Sequence, residues 1–264
     1  LALMASRTAG VGSLRLWLGA GPVRPWEPLV YDRLADLYAI GGRFDASVAV
    51  NEAFFDRYPD HPDSPQFLAQ VVEVRELAGD GVKARLARSR YVAAYRDQSS
   101  FLRLVADEQS RWRTFARRLA DLVYETASGL SQAGDNAAMA LFAEAADYYE
   151  TLAPRSDAAG EVWRLAGDAR LQARHYSRAL ENFRTAAYGV DNYDESADAG
   201  WAAVVLLRSQ AGTGGARGLQ ELSDEIDRFA GVFVGDARLS GALADLASRW
   251  QTAGEHAKAA DYAG

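Results

Sequence analysis

Chemistry needs side chains that converge, and this chain offers few of the types that supply it. Cysteine is absent, which removes disulfides, thiolate metal sites and cysteine nucleophiles. The three histidines, His61, His175 and His256, each sit in or beside a turn, with no second histidine nearby in sequence. Zinc sites draw three or four ligands, so these histidines read as turn residues in contact with water, and no metal is expected. Asp32 and Asp36 share a helical face at a spacing of four. Acid and base catalysis, however, needs an enclosed site that shifts a pKa, and nothing in the sequence marks one around this pair. The glycine-rich run Ala211-Gly212-Thr213-Gly214-Gly215-Ala216-Arg217-Gly218 lacks both the Lys-Ser/Thr step of a phosphate loop and the strand that precedes a dinucleotide fingerprint. It reads as a flexible connection. No catalytic residue, cofactor or metal is assigned, and the chain is not expected to be an enzyme.

Charge narrows the partners. A net charge of −7 and a pI near 5.1 leave no chain-wide positive field for phosphate backbones, so nucleic acid is excluded as a first reading. One stretch is basic: Arg111, Arg113, Arg117 and Arg118, with Arg88, Arg90, Arg96 and Arg103 before it. It could meet an acidic partner or anionic lipid. The favoured reading turns Trp112 and Phe115 into the core and leaves the arginines as a solvated face paired with Asp107, Glu108 and Asp121. Tyr148 and Tyr149 are adjacent and cannot point the same way on a helix, so at least one is core. No run approaches the roughly 20 apolar residues of a membrane helix. The opening residues also lack the order of a signal peptide. The start at Leu1 and the stop at Gly264 read as the ends of a fragment.

The elements that carry these residues are helices. Apolar positions recur at helical spacing: Tyr31, Leu34, Ala35, Leu37 and Tyr38, then Phe44, Val48, Phe54 and Phe55; Phe67, Val71, Val74 and Leu77, then Val82, Leu86, Tyr91 and Tyr95. A longer stripe follows, Trp112, Phe115, Leu119, Leu122, Thr126 and Leu130, answered by Leu141, Phe142, Ala145 and Tyr149. Trp201, Val204, Val205 and Leu207 face Leu219, Leu222, Ile226 and Phe229, and Leu239, Leu243, Leu246 and Trp250 begin a last pair. Glycine turns at Gly41-Gly42, Gly79, Gly134, Gly212 to Gly215 and Gly254 separate the two helices of a pair. Breaks at Pro59, Pro154 and Asn192 to Ser196 separate one pair from the next. Only Val232-Phe233-Val234 comes near a strand.

Between Trp163 and Ala186 the series Trp163, Gly167, Tyr176, Ala179, Phe183 and Ala186 alternates large and small residues as two antiparallel helices packed face to face require. It resembles the tetratricopeptide repeat (TPR) pattern. Tyr31, Leu34, Ala35, Tyr38, Phe44 and Pro59 resemble the same pattern, with Ser47 and Asn51 standing where Ala and an aromatic residue are usual; in the other copy Ala166, Arg170 and Asp191 replace Leu, Tyr and Pro. The stretch Gly21-Pro22-Val23-Arg24-Pro25-Trp26-Glu27-Pro28, with Phe54-Phe55-Asp56-Arg57-Tyr58-Pro59 and Arg184-Thr185-Ala186-Ala187-Tyr188, looks like the distal part of long TPR proteins of the Gram-negative envelope.

The expected fold is all-α, a right-handed superhelical solenoid of about five to six antiparallel pairs forming a single array over residues 1–264. Its expected parts are a partial pair at 1–20, two pairs at 28–96, a long-helix pair at 107–153, and the remaining pairs at 160–264 with the last one cut short. The resemblance implies a non-catalytic scaffold or adaptor that binds a protein or peptide, held in the periplasm or at the outer membrane, with the cytoplasm as the alternative. On this likeness the partner-binding face is the one lined by first helices, carrying Asp32, Asp36, Arg164, Asp168, Gln172, Ser248 and Gln251. The signs there are mixed and do not form a clamp for a terminal carboxylate. The alternative function is a structural or regulatory arm of a larger enzyme or secretion component; a weaker one is an α/α enzyme. Oligomeric state is left open.

Overall fold

Proline near the start and a left-handed residue past the end set many of the helix limits. The computed structural model describes residues 1–19, 21–211 and 215–263. In chain order the helices are α1 (Ala2–Ser6), α2 (Val11–Leu18), α3 (Glu27–Ile40), α4 (Phe44–Arg57), α5 (Ser64–Leu77), α6 (Gly81–Ala94), α7 (Gln98–Leu102), α8 (Ala106–Gln132), α9 (Ala137–Leu152), α10 (Ala159–Gln172), α11 (Tyr176–Tyr188), α12 (Ser196–Gln210), α13 (Gly215–Val232), α14 (Leu239–Thr252) and α15 (His256–Ala263). A single 3-10 turn, Ala153–Arg155, follows α9. Pro28 and Pro65 stand in the first turns of α3 and α5, where the missing N–H has no helical partner to lose. Asp80 and Asp97 cap α6 and α7, accepting from the backbone N–H groups of Lys83 and Ser100, each at 3.0 Å. No strand occurs among the described residues; at Val232-Phe233-Val234 the chain leaves α13.

Five turns share one hydrogen-bond pattern. The third residue past the helix donates to a carbonyl five positions back: Arg43 to Tyr38 at 2.8 Å, Asp80 to Arg75 at 3.1 Å, Asp135 to Leu130 at 2.9 Å, His175 to Arg170 at 2.8 Å and Glu255 to Trp250 at 3.0 Å. This closure requires a left-handed residue just before the donor. Gly42, Gly79, Gly134 and Gly254 supply it at φ of 69 to 81°, but the fourth turn uses Arg174 at φ 60°. A side chain in that region costs about 1–2 kcal/mol. Arg174→Gly is therefore expected to raise stability by about 0.5–1 kcal/mol, read as a higher urea midpoint at unchanged slope. The turn expected over Gly212 to Gly214 lies outside the described residues.

Two compact units are formed, Leu1–Leu119 and Ala120–Gly264, with the boundary inside α8. Within the first, α3 packs on α4, α4 on α5 and α5 on α6, and α1 covers α3. Within the second, α9 to α15 each pack on the next helix in sequence, the arrangement by which a repeat array shares its core between neighbours. Burial stitches these layers with polar anchors. Trp112 donates to the Val92 carbonyl at 3.1 Å and Trp250 to Ser223 Oγ at 3.0 Å. Buried and half-buried tyrosines donate to carboxylates: Tyr58 to Glu27 at 2.6 Å, Tyr91 to Glu108 at 2.7 Å, Tyr149 to Asp121 at 2.6 Å and Tyr188 to Glu225 at 3.1 Å.

Several expected core positions are corrected. Leu37, Leu77, Val82, Leu86 and Val205 are exposed, because the buried stripe of each helix runs through other positions, such as Leu34, Ala35 and Tyr38 on α3 and Ala84, Arg88, Tyr91 and Val92 on α6. On α8 the fully buried positions after Leu119 are Ala120, Val123 and Ala127; Leu122 and Leu130 are half-buried, with Leu130 packed against Ala127 and its neighbours, and Thr126 falls off the stripe. Thr126 is exposed and bonds back to the Leu122 carbonyl at 2.8 Å. The short α7 between α6 and α8 was not foreseen; it starts at the Asp97 cap and buries Phe101 against Trp112 with ring centroids 5.2 Å apart.

Candidate partner-binding surface

The first helices of the pairs place the expected surface residues in three groups. On α3, Asp32 accepts from Gln70 Nε2 of α5 at 2.9 Å, and Asp36 lies 3.6 Å from Arg33. Both aspartates are half-buried. Burial, followed by the repulsion of Asp32, holds the Asp36 carboxyl above its usual range, with Arg33 opposing. On α10, Arg164 Nε meets Asp168 Oδ2 at 3.2 Å, four residues on. Burial raises Asp168 as well, against the pull of Arg164. Gln172 is exposed at the end of α10. On α14, Ser248 and Gln251 are exposed and line a groove of about 680 Å³ against α15, together with Leu243, His256 and Tyr262.

The face beside Asp36 contains residues the sequence reading passed over. Between α3 and α5 a cleft of about 210 Å³ has α4 as its floor, with Ser47, Asn51, Gln70 and Glu73 among its lining residues and Leu77 at one end. Ser47 and Asn51 are fully buried. Neither the Ser47 hydroxyl nor either amide atom of Asn51 has a hydrogen-bond partner, and the Gln70 Oε1 is likewise unpartnered. The signal was present in the sequence, since Ser47 and Asn51 are the two departures from the repeat pattern in that copy.

The basic stretch resolves into separate pairs. Trp112 and Phe115 do face the core, and Arg111 pairs with Glu108 at 2.7 Å. Arg88 is buried rather than solvated and pairs with Glu76, which also lies 3.5 Å from Arg118. Arg90 bridges Glu52 and Asp56, each at 2.8 Å. The Arg111–Glu108 pair is an expected one, whereas Glu76, Glu52 and Asp56 were not expected as partners. Asp121 accepts from Tyr149, which is the core member of its tyrosine pair.

Inside the second unit Arg170 makes a buried ionic hub. Its guanidinium, 1% exposed, donates to Glu150 through Nε at 2.8 Å and through a terminal nitrogen at 2.7 Å, and also to Asp147. Glu150 additionally receives Arg178 at 2.8 Å and Asn182 at 2.9 Å. Burial pushes the Glu150 carboxyl up, but the bonds from Arg170 and Asn182 outweigh it and hold the group below its ordinary value. Every charge in this hub has a partner within the fold, so it braces α9 against α10 and α11.

Of the three histidines, His61 stands edge-on to Phe54 at 5.5 Å, with its Nδ1 accepting from the Asp63 backbone N–H at 3.1 Å. It is therefore packed in the turn, while His175 and His256 are exposed. Among the described residues, no group of three or more histidines or carboxylates could hold a metal ion. No described helix is long and apolar enough to cross a membrane.

No family model matches the chain and no curated protein does. Similar solved structures include the C-terminal part of a TPR repeat-containing protein from Cytophaga hutchinsonii, at 13% identity and a TM-score of 0.41, covering 90% of this chain and 82% of that one. Another is a tetratricopeptide repeat protein from Parabacteroides merdae, at 14% identity and a TM-score of 0.35, covering 88% and 77%. The TPR2AB domain of yeast Sti1 in its pHSP90 complex is similar at 12% identity and a TM-score of 0.27, covering 89% and 88%. Gly167 of α10 lies against the Phe183 ring of α11 so closely that an added Cβ would come within 2.5 Å of it. The described residues are all-α, and consecutive helices pack on one another from α3 to α6 in the first unit and from α9 to α15 in the second.

Proposed function

We propose that this chain is a non-catalytic scaffold that holds a protein partner along the face formed by the first helices of its pairs. The observation that carries this reading is the open cleft between α3 and α5. There, consecutive pairs are joined at the surface by the Asp32–Gln70 hydrogen bond while polar side chains beneath it stand without partners. A buried polar group without a partner costs about 1–3 kcal/mol, and a fold keeps such groups in a cleft when a ligand satisfies them. The exposed Leu37 and Ile40 of α3 and Leu77 of α5 add apolar area next to the polar floor, the mixture found where protein surfaces meet. Placement at the bacterial envelope, in the periplasm or on the outer membrane, is proposed on sequence likeness over the Gly21 to Pro28 stretch and the Phe54 to Pro59 stretch.

The test is site-specific photo-crosslinking of the full chain in its native cells, with p-benzoylphenylalanine at Asp36, at Leu77, or at Leu86 on α6. The expected result is a protein adduct from Asp36 and Leu77 but none from Leu86. Adducts from Leu86 alone, or from no position, would remove the first-helix face as the binding surface.

A further inference from the structure

The second unit contains a filled counterpart of the α3–α5 cleft. Helices α10, α11 and α12 start 132 positions after α3, α4 and α5 (27 to 159, 44 to 176, 64 to 196). The register places Asp168 opposite Asp36, Gly167 opposite Ala35, Ala179 opposite Ser47 and Phe183 opposite Asn51. Gln70 and Glu73 correspond to Ala202 and Val205. In the second unit the Phe183 ring takes that space: it is buried with Ala179, Ala203 and Leu206, and Ala202 packs against them, while Val205 is exposed. In the first unit the same helical framework carries a hydroxyl, two amides and two carboxylates around an open space. The difference is one of side-chain choice on a shared backbone plan, and it installs polar groups where the fold elsewhere uses a phenyl ring.

What the cleft lacks defines its ligand. The unpartnered atoms are three oxygens, from Ser47, Asn51 and Gln70, and one donor, the Asn51 Nδ2. The charges around them are negative: Asp32 and Asp36 on α3 and Glu73 on α5. Arg33 approaches Asp36 at 3.6 Å, but its side chain is 66% exposed. Neither Asp32 nor Glu73 belongs to an ion pair among the described residues. An anion would meet the carboxylates of Asp36 and Glu73, and an apolar side chain would leave the oxygens unsatisfied. A cationic side chain supplies several N–H donors and the missing charge together.

We propose that the α3–α5 cleft receives an arginine or lysine side chain from a protein partner. Asp36 and Glu73 act as its counter-charges, and Ser47, Asn51 and Gln70 accept its hydrogen bonds. The Asn51 Nδ2 is left to donate to a main-chain carbonyl of the same segment. The assignment rests on the scaffold reading above and gives that partner its chemistry.

The experiment is a titration of the isotope-labelled full chain, followed by ¹H–¹⁵N NMR, with the peptide acetyl-Ala-Arg-Ala-Arg-Ala-amide and with its citrulline twin. Citrulline keeps the shape and removes the charge. The arginine peptide is expected to move the side-chain amide signals of Asn51 and Gln70 and to bind about tenfold more tightly than the citrulline peptide. The Asp36→Asn/Glu73→Gln double variant, its folding checked by its unperturbed spectrum elsewhere, is expected to erase that preference. Equal binding of the two peptides, shifts clustered on the α4–α6 face, or no binding at millimolar peptide would overturn the proposal. Crosslinked adducts from Asp36 with no preference for arginine would leave the scaffold and remove the cation. A charge preference without any adduct would keep the cation site and remove the protein partner.

Discussion

Arg170→Ala is expected to lower the stability of the second unit by about 3 kcal/mol, roughly 10 °C in Tm, because truncating a buried guanidinium leaves its carboxylates uncompensated. Arg170 is 1% exposed and Glu150 15%, so solvent cannot replace what is lost at either end. Glu150 keeps Arg178 and Asn182, which holds the loss below the top of the range for buried pairs. Arg170→Met separates the two parts of the effect: it keeps the packed stem and removes the charge, so it should fall between wild type and the alanine variant. The pH dependence follows from Glu150, whose carboxyl is held below its ordinary 4.5 in the folded chain. A depressed carboxylate contributes stability above its unfolded value and loses it as pH falls. The gap between wild type and Arg170→Ala is thus widest above about pH 5 and narrows as the solution is acidified through 4.5. Urea melts at pH 7 and near pH 4 measure both, and an equal gap at the two pH values would show that packing, not charge, makes the contribution.

The second large effect reverses the usual sign of a helical glycine. Replacing glycine by alanine inside a helix ordinarily gains about 1 kcal/mol, and Gly129 in α8, with nothing within 4 Å of an added Cβ, should show that gain. At Gly167 the added carbon would lie 2.5 Å from two ring carbons of Phe183, and that ring is 1% exposed, with Ala179, Ala203 and Leu206 around it. The ring cannot retreat without opening the layer behind it, and overpacking costs about 1–3 kcal/mol. Gly167→Ala is expected to be destabilising by about 1–2 kcal/mol, and Gly167→Val by about 3. Phe183→Leu in the same chain should recover part of the loss, and the double-mutant cycle measures the coupling. Gly167→Ala matching Gly129→Ala would mean that α10 and α11 do not pack as closely as described.

The helical pairs were legible because their packing is periodic: Tyr31, Leu34, Ala35 and Tyr38, or Trp163 and Gly167 facing Phe183, announce themselves by spacing alone. The glycine turns were legible for the same reason, and the exception, Arg174, was hidden because no composition rule marks a left-handed arginine. The exposure of Leu77, Val82 and Leu86 could not be read from periodicity, which gives a helix two adjacent apolar flanks and does not say which one a neighbour covers. At the candidate surface, Asp32 and Asp36 were found as a pair on one face, while their relation to Gln70 and Glu73 depends on α5 lying beside α3, a contact between residues nearly forty apart. Arg170 was noted only as a departure from a tyrosine position. Its role required seeing Glu150 and Asp147 on the preceding helix turn toward it.

The 132-residue correspondence between the open cleft and its filled counterpart sets robustness against recognition at the same few positions. Ala35→Gly, Ser47→Ala and Asn51→Phe would copy the α10–α11 solution into α3 and α4, trading unsatisfied amide and hydroxyl groups for a phenyl ring. A lineage or a laboratory screen rewarding heat tolerance alone would drift toward that swap, and its survivors would be hardier proteins with nothing left to grip.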